Sequence, residues 1–231
     1  IDGRVFGLDA DTGQRLWVYD HSVPLLTLRG NAPLLLRAGV VFVGYDGGQV
    51  VALKLADGIL MWEQTLVTSE GRTELERLSD IDGRLVFIAS DLLVSSYKNR
   101  LASLAADSGR LLWFKDVSSA TGVSVDRTNL ALSDRDGNVW MLDRRNGAEA
   151  WKQDQLLHRG LTRPEFYGSF IVVGDGVGYL HWFRVSDGQF AAREKTGGKG
   201  FAGPPLVVGN TLYVMTKKGT LVAYRAGAAL N

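Results

Sequence analysis

Few side chains in this sequence are spaced as a reaction would require. Asp80 and Asp82, in Ser79-Asp-Ile-Asp82, form a carboxylate pair that could share a proton or hold a cation. Either task also takes a general acid or a third ligand, which two aspartates alone do not supply. His158 in "LLHRGLTRP" and His181 in "YLHWF" could bind a metal or shuttle protons. They stand 23 residues apart with no acidic partner evident, the usual setting of a histidine that makes one structural hydrogen bond. Glu194–Pro205, "EKTGGKGFAGPP", has glycines enough to cradle a phosphate, but no helix follows and it reads as a flexible loop. The absence of cysteine excludes disulfides, thiolate metal sites and cysteine nucleophiles. The expectation is a chain with no catalytic residue, no metal ligand and no cofactor.

The chain has 231 residues, room for one large domain or two small ones. Apolar residues make up 45% and charged residues 22%, ordinary for a globular protein. With 26 Lys+Arg against 25 Asp+Glu, no basic face is implied and a nucleic-acid partner is not expected. No apolar run approaches the roughly 18–20 residues that span a bilayer. The opening "IDGRVFGLD" lacks a basic region followed by an apolar one, so it reads as strand rather than signal peptide.

The chain is organised by a repeat. "GRVFGLDADTGQRLW" (Gly3–Trp17), "GQVVALKLADGILMW" (Gly48–Trp62), "NRLASLAADSGRLLW" (Asn99–Trp113) and "GNVWMLDRRNGAEAW" (Gly137–Trp151) align without gaps. "GYLHWFRVSDGQFAA" from Gly178 keeps the register with Ala192 in the tryptophan position, and a sixth unit starts at Gly219. In each of the first five, Gly or Asn opens the unit and a glycine follows after nine residues. The opening residue suits a turn with positive φ. The apolar run behind it is too continuous for a strand with one wet face, which implies a sheet covered on both sides. The second turn carries Asp, Ser, Thr or Asn before glycine, and the outer strand then presents its tryptophan. Further β-rich runs lie upstream, at Val40–Val43, Leu85–Ile88, Ile171–Val173 and Leu212–Met215.

Four short antiparallel strands every ~40–45 residues indicate an all-β fold, a β-propeller whose four-stranded blades stack face to face. Trp17, Trp62, Trp113 and Trp151 are then expected between blades, as structural docking residues. Each would bury about 150–250 Å², and losing one would cost roughly 3–5 kcal/mol. The repeats give four full units and a partial one at each end. The ends either share a blade in a small ring or belong to a larger one, and the abrupt start favours a fragment. Residues 1–231 are therefore read as one propeller domain lacking its N-terminal blades.

The unit "LDADTGQRLW" resembles the PQQ-like repeat of quinoprotein dehydrogenases. That resemblance raises a pyrroloquinoline quinone enzyme as the alternative, although no vicinal cysteines and no recurring acidic ligand set accompany it. A fuller resemblance runs through "LTLRGNAP", "ELERLSDIDG", "LLHRGLTRP" and "VGDGVGYLHWFRVSDGQF", in that order and at matching spacing. Together these look like the BamB family of outer-membrane protein assembly factors. The resemblance implies the C-terminal part of an eight-bladed propeller, about five to six blades of it. It also implies a periplasmic lipoprotein of the BAM complex, anchored to the outer membrane by a lipid on a segment outside this sequence. Its function would be non-enzymatic, a scaffold that assists the folding and insertion of outer-membrane proteins.

The stretch His21–Pro33, "HSVPLLTLRGNAP", has loop composition yet carries three leucines. It lies in the connection after Trp17, and Ser79–Asp82 lies in the corresponding connection after Trp62, so the two should emerge on one face. Leu26, Leu28, Arg29, Asp80 and Asp82 would then form an apolar patch with a charged rim, as protein-docking sites do. Read from the residues alone, the leucines could equally tuck under the rim while the charges pair locally. The family resemblance favours docking, because in that family the matching residues bind the POTRA domains of BamA. Unfolded outer-membrane protein clients are a further expected partner, through exposed strand edges.

Overall fold

The computed structural model describes residues 3–21, 33–45, 48–66, 85–95, 100–117, 119 and 121–225. These are strands and turns throughout, with no helix among them. They fall into two compact units, Ile1–Ala120 and Thr121–Asn231.

In the first unit, β1 (Val5–Leu8) and β2 (Arg15–Tyr19) form a two-stranded sheet. Next come β3 (Leu35–Arg37), β4 (Val40–Tyr45), β5 (Gln49–Lys54) and β6 (Leu60–Thr65) as a four-stranded antiparallel meander. A second such meander contains β7 (Val86–Ile88), β8 (Asp91–Ser95), β9 (Leu101–Ala105) and β10 (Leu111–Lys115). The second unit repeats the plan with β11 (Val123–Val125), β12 (Asn129–Ser133), β13 (Val139–Asp143) and β14 (Glu149–Gln153). It continues with β15 (Glu165–Tyr167), β16 (Phe170–Gly174), β17 (Tyr179–Arg184) and β18 (Phe190–Lys195). It closes with the three-stranded sheet of β19 (Leu206–Val208), β20 (Thr211–Met215) and β21 (Leu221–Tyr224). The all-β propeller architecture expected from the repeat is therefore present. The β-rich run at Leu85–Ile88 supplies β7, the first strand of its sheet, whereas the runs at Val40–Val43, Ile171–Val173 and Leu212–Met215 supply second strands.

The apolar runs explain the layering. Val50, Val51, Ala52 and Leu53 on β5 are each fully buried, since a sheet covered on both faces needs apolar residues on both. Within each unit neighbouring sheets stack through such faces. Phe42, Val50 and Trp62 meet Leu92 and Leu104 in the first unit, and Val139 and Met141 meet Ile171 and Phe183 in the second. Val172 and Leu180 likewise meet Leu212 and Val214. The fourth strand of a sheet is wetter: on β6 only Trp62 is buried, and β18 is exposed along its whole length.

The turn between third and fourth strands is one structure used five times. Gly13, Gly58, Gly109, Gly147 and Gly188 have φ between +69° and +72°, where a Cβ would be strained. Each donates its N–H to the carbonyl four residues back, such as Gly58 to Lys54 at 2.8 Å. A register shift follows in every such pair, for instance between Ala52 and Leu53.

Candidate functional site

Two sets of side chains recur at fixed places in these sheets. The first is the outer-strand tryptophan. Trp17 donates its Nε1–H to the Leu55 carbonyl at 3.0 Å, Trp62 to Ala106 at 3.0 Å and Trp151 to Val185 at 2.8 Å. Each acceptor opens the third turn of the following sheet, and the ring lies on that turn's glycine. A Cβ built on Gly58 would come within 2.5 Å of Trp17, on Gly109 within 2.5 Å of Trp62, and on Gly188 within 2.6 Å of Trp151. Trp113 is buried on β10. Glycine is thus required twice over at these turns, by its φ and by the indole above it.

Strand register shows what stands opposite each tryptophan. Trp17 pairs with Gly7, Trp62 with Ala52, Trp113 with Ser103 and Trp151 with Met141. In the fifth repeat the sizes are exchanged: Ala192 on β18 faces Trp182 on β17. The indole has moved one strand inward, where it meets Tyr224 edge-on at 5.9 Å within the last core.

The second set comprises the carboxylates that close the turns between second and third strands. Asp134 Oδ1 accepts the backbone N–H groups of Asp136, Gly137 and Asn138 at 2.9–3.0 Å. Its Oδ2 accepts Asn138 Nδ2 at 2.6 Å and Trp140 Nε1 at 2.8 Å. Asp175, 41 residues on, likewise accepts the N–H groups of Val177 at 3.0 Å and Tyr179 at 2.9 Å. Its Oδ2, however, takes His181 Nε2 at 2.9 Å together with Arg159 Nε and a terminal guanidinium nitrogen, both at 2.8 Å. In the last sheet Thr216 Oγ1 performs the same closure, accepting Thr220 N–H at 3.1 Å.

His181 therefore has an acidic partner, contrary to the sequence expectation, six residues upstream across the hairpin. It is 1% exposed, and its Nδ1 is buried with no hydrogen-bond partner. Burial lowers its pKa below the ordinary value, opposed by the Asp175 carboxylate; a second proton would put an N–H at Nδ1 with no acceptor. Burial also pushes the Asp175 carboxyl up, but the donors from Tyr179, His181 and Arg159 prevail and hold it below the ordinary range. These are the atoms of a His–Asp dyad, aimed inward at a turn. His158, by contrast, is exposed at φ +59°, its backbone N–H bound to the Asp136 carbonyl.

The Glu194–Pro205 segment also departs from expectation. Glu194 and Lys195 belong to β18, and Phe201 is buried, bridged to Thr216 and packed over Gly174. An aromatic anchor and close glycine contacts pin a stretch whose composition reads as flexible. Leu26, Leu28, Arg29, Asp80 and Asp82 lie outside the described residues. Among the described residues no group of three or more His, Asp or Glu is placed to hold a metal ion.

Stacked four-stranded sheets, with outer-strand indoles such as Trp62 and Trp151 seated on the next sheet's turn glycine, define a β-propeller of the PQQ-like repeat class. A family model described as outer membrane protein assembly factor BamB matches residues 1–153. The BamB of Xanthomonas campestris pv. campestris is 45% identical over 202 residues, covering 87% of this chain and 50% of the relative. That of Pseudomonas aeruginosa is 41% identical over 205 residues, covering 89% and 54%. The crystal structure of BamB from Moraxella catarrhalis matches with a TM-score of 0.86 at 30% identity, covering 97% of this chain and 67% of that one. The chain belongs to the BamB family of outer membrane protein assembly factors. It spans about half the length of the curated relatives it matches, 50% and 54% for these two.

Proposed function

We propose that this chain is a non-enzymatic scaffold of the outer-membrane β-barrel assembly complex, working on the periplasmic face of the outer membrane in a protein held there by a lipid anchor. It binds the POTRA domains of BamA through Leu26, Leu28, Arg29, Asp80 and Asp82. Trp17, Trp62, Trp113 and Trp151 keep the sheets that carry those connections in register. Membership of a family whose members are named assembly factors carries this reading. The internal economy of the described residues supports it. The Asp134 and Asp175 networks each close a turn of their own chain, and the indoles bond the backbone of the next sheet.

The test is a titration of purified BamA POTRA domains with the chain and with Leu26→Ala/Leu28→Ala. Truncating two central apolar contacts is expected to weaken binding at least tenfold while the thermal midpoint stays within about 2 °C. Unchanged binding, or a loss of stability matching the loss of affinity, overturns the reading. Saturable micromolar uptake of pyrroloquinoline quinone with Ca²⁺ would also overturn it, in favour of a dehydrogenase.

A further inference from the structure

The exchange of Trp182 and Ala192 leaves space where the other outer strands carry an indole. A cavity of about 340 Å³ opens between the sheet of β15–β18 and that of β19–β21. Tyr167, Phe170, Trp182 and Tyr224 form its apolar walls, and Ala192 stands at the place a docked ring would enter from. Trp182 Nε1 has no acceptor among the described residues, whereas the outer-strand indoles of Trp17, Trp62 and Trp151 each have one. Arg225 and Glu194 stand at the margin, and Arg193, next to Ala192 on the strand, turns its guanidinium to the other face of the sheet. Arg225 is steadied by Thr211 Oγ1 at 3.1 Å, and Arg193 by the Tyr179 ring at 3.9 Å.

The edge beside this cavity is open too. Among the described residues β18 pairs with β17 on one side and with no strand on the other, and all six of its residues are exposed. Directly opposed residues on paired strands project from the same face. A strand added antiparallel to β18 would therefore aim the residue opposite Ala192 into the cavity.

We propose that this cavity binds an aromatic side chain, presented with an acidic neighbour on an extended segment of a partner polypeptide that pairs with β18. The other repeats define the occupant, since their equivalent space holds an indole. The walls offer edge and face contacts suited to a ring. The unmatched Trp182 N–H donates to a carbonyl or carboxylate of the incoming chain, and the Arg193 guanidinium, on the opposite face, selects the acidic residue adjacent to the ring.

The probe is the peptide Ac-Thr-Val-Thr-Asp-Trp-Thr-Val-Thr-NH2, titrated calorimetrically into the 231-residue chain. Saturable binding is expected, at least tenfold weaker when the peptide tryptophan becomes alanine. It should be several-fold weaker when the aspartate becomes lysine. Ala192→Trp, which returns a ring to the slot, should abolish binding. Trp182→Ala/Ala192→Trp should do the same, and it copies the folded Ala52/Trp62 pair of β5 and β6. No saturable binding by the unaltered chain, equal binding of the alanine peptide, or retained binding in either folded variant overturns the proposal. Should neither variant fold, the peptide series decides alone.

Discussion

The turns closed by Asp134 and Asp175 occupy the same place in successive sheets and do the same work with opposite chemistry. Asp134 satisfies its second oxygen with an amide and an indole, donors that stay neutral at any ordinary pH. Asp175 uses an imidazole and a guanidinium, with its side chain fully buried and Arg159 about one-third exposed. A repeat thus fixes the backbone geometry of a turn but leaves open whether its closure titrates. The second solution buries charge, and a buried carboxylate depends on the donors that surround it.

The largest expected effect separates the two sites directly. Asp175→Ala removes the acceptor from a buried imidazole and a guanidinium and should cost about 3–5 kcal/mol. Asp134→Ala strands neutral donors only and should cost about 1–3 kcal/mol. Chemical denaturation of both variants checks the order, and equal losses would erase the distinction. Next in size is the response to acid. His181 is held below its ordinary value of 6.5, so the unfolded chain binds a proton before the folded one does. Stability should therefore fall as pH drops through that value. Asp175 is also depressed, so its contribution is present above the ordinary carboxylate value of 3.8 and fades as pH falls through its lower folded value. Both changes run in the same direction. His181→Gln, a neutral donor like Asn138, should flatten the slope between pH 7 and 5 and leave the acidic limb, as thermal midpoints against pH would show. A slope unchanged in that variant would place its origin elsewhere. The smallest effect is expected from Arg159→Gln, about 1 kcal/mol or less, since a partly exposed ion pair is screened by water and salt.

Much of this architecture is legible in the sequence. Turn glycines at fixed spacing and apolar runs without alternation specify stacked four-stranded sheets, because those features are local and backbone-driven. The swap at Trp182 was half visible: the sequence displays Ala192 in a tryptophan position, but only strand register places Trp182 opposite it. The Asp175–His181 contact was hidden for a similar reason. Six residues look distant along the chain, yet a tight hairpin folds them together. Phe201 shows the opposite failure, a glycine-rich stretch pinned by a single ring that composition cannot reveal. For Leu26, Leu28, Arg29, Asp80 and Asp82 the residues leave docking and local pairing equally open, and family resemblance decides for the proposed POTRA contacts, because connections carry no periodic signal to read.

The seat of each indole on a glycine has a bearing on how such a chain can be inherited. Trp17 to Gly58 spans 41 residues, Trp62 to Gly109 spans 47 and Trp151 to Gly188 spans 37, so the linking segment can grow or shrink while lock and key keep their places. Whole hairpins can be duplicated or exchanged at the gene level, because a hairpin such as that of Gly58 and Trp62 brings both a ring for its successor and a glycine for its predecessor. Ala192 is the point where that currency changes, and a module spliced in behind it inherits no such obligation.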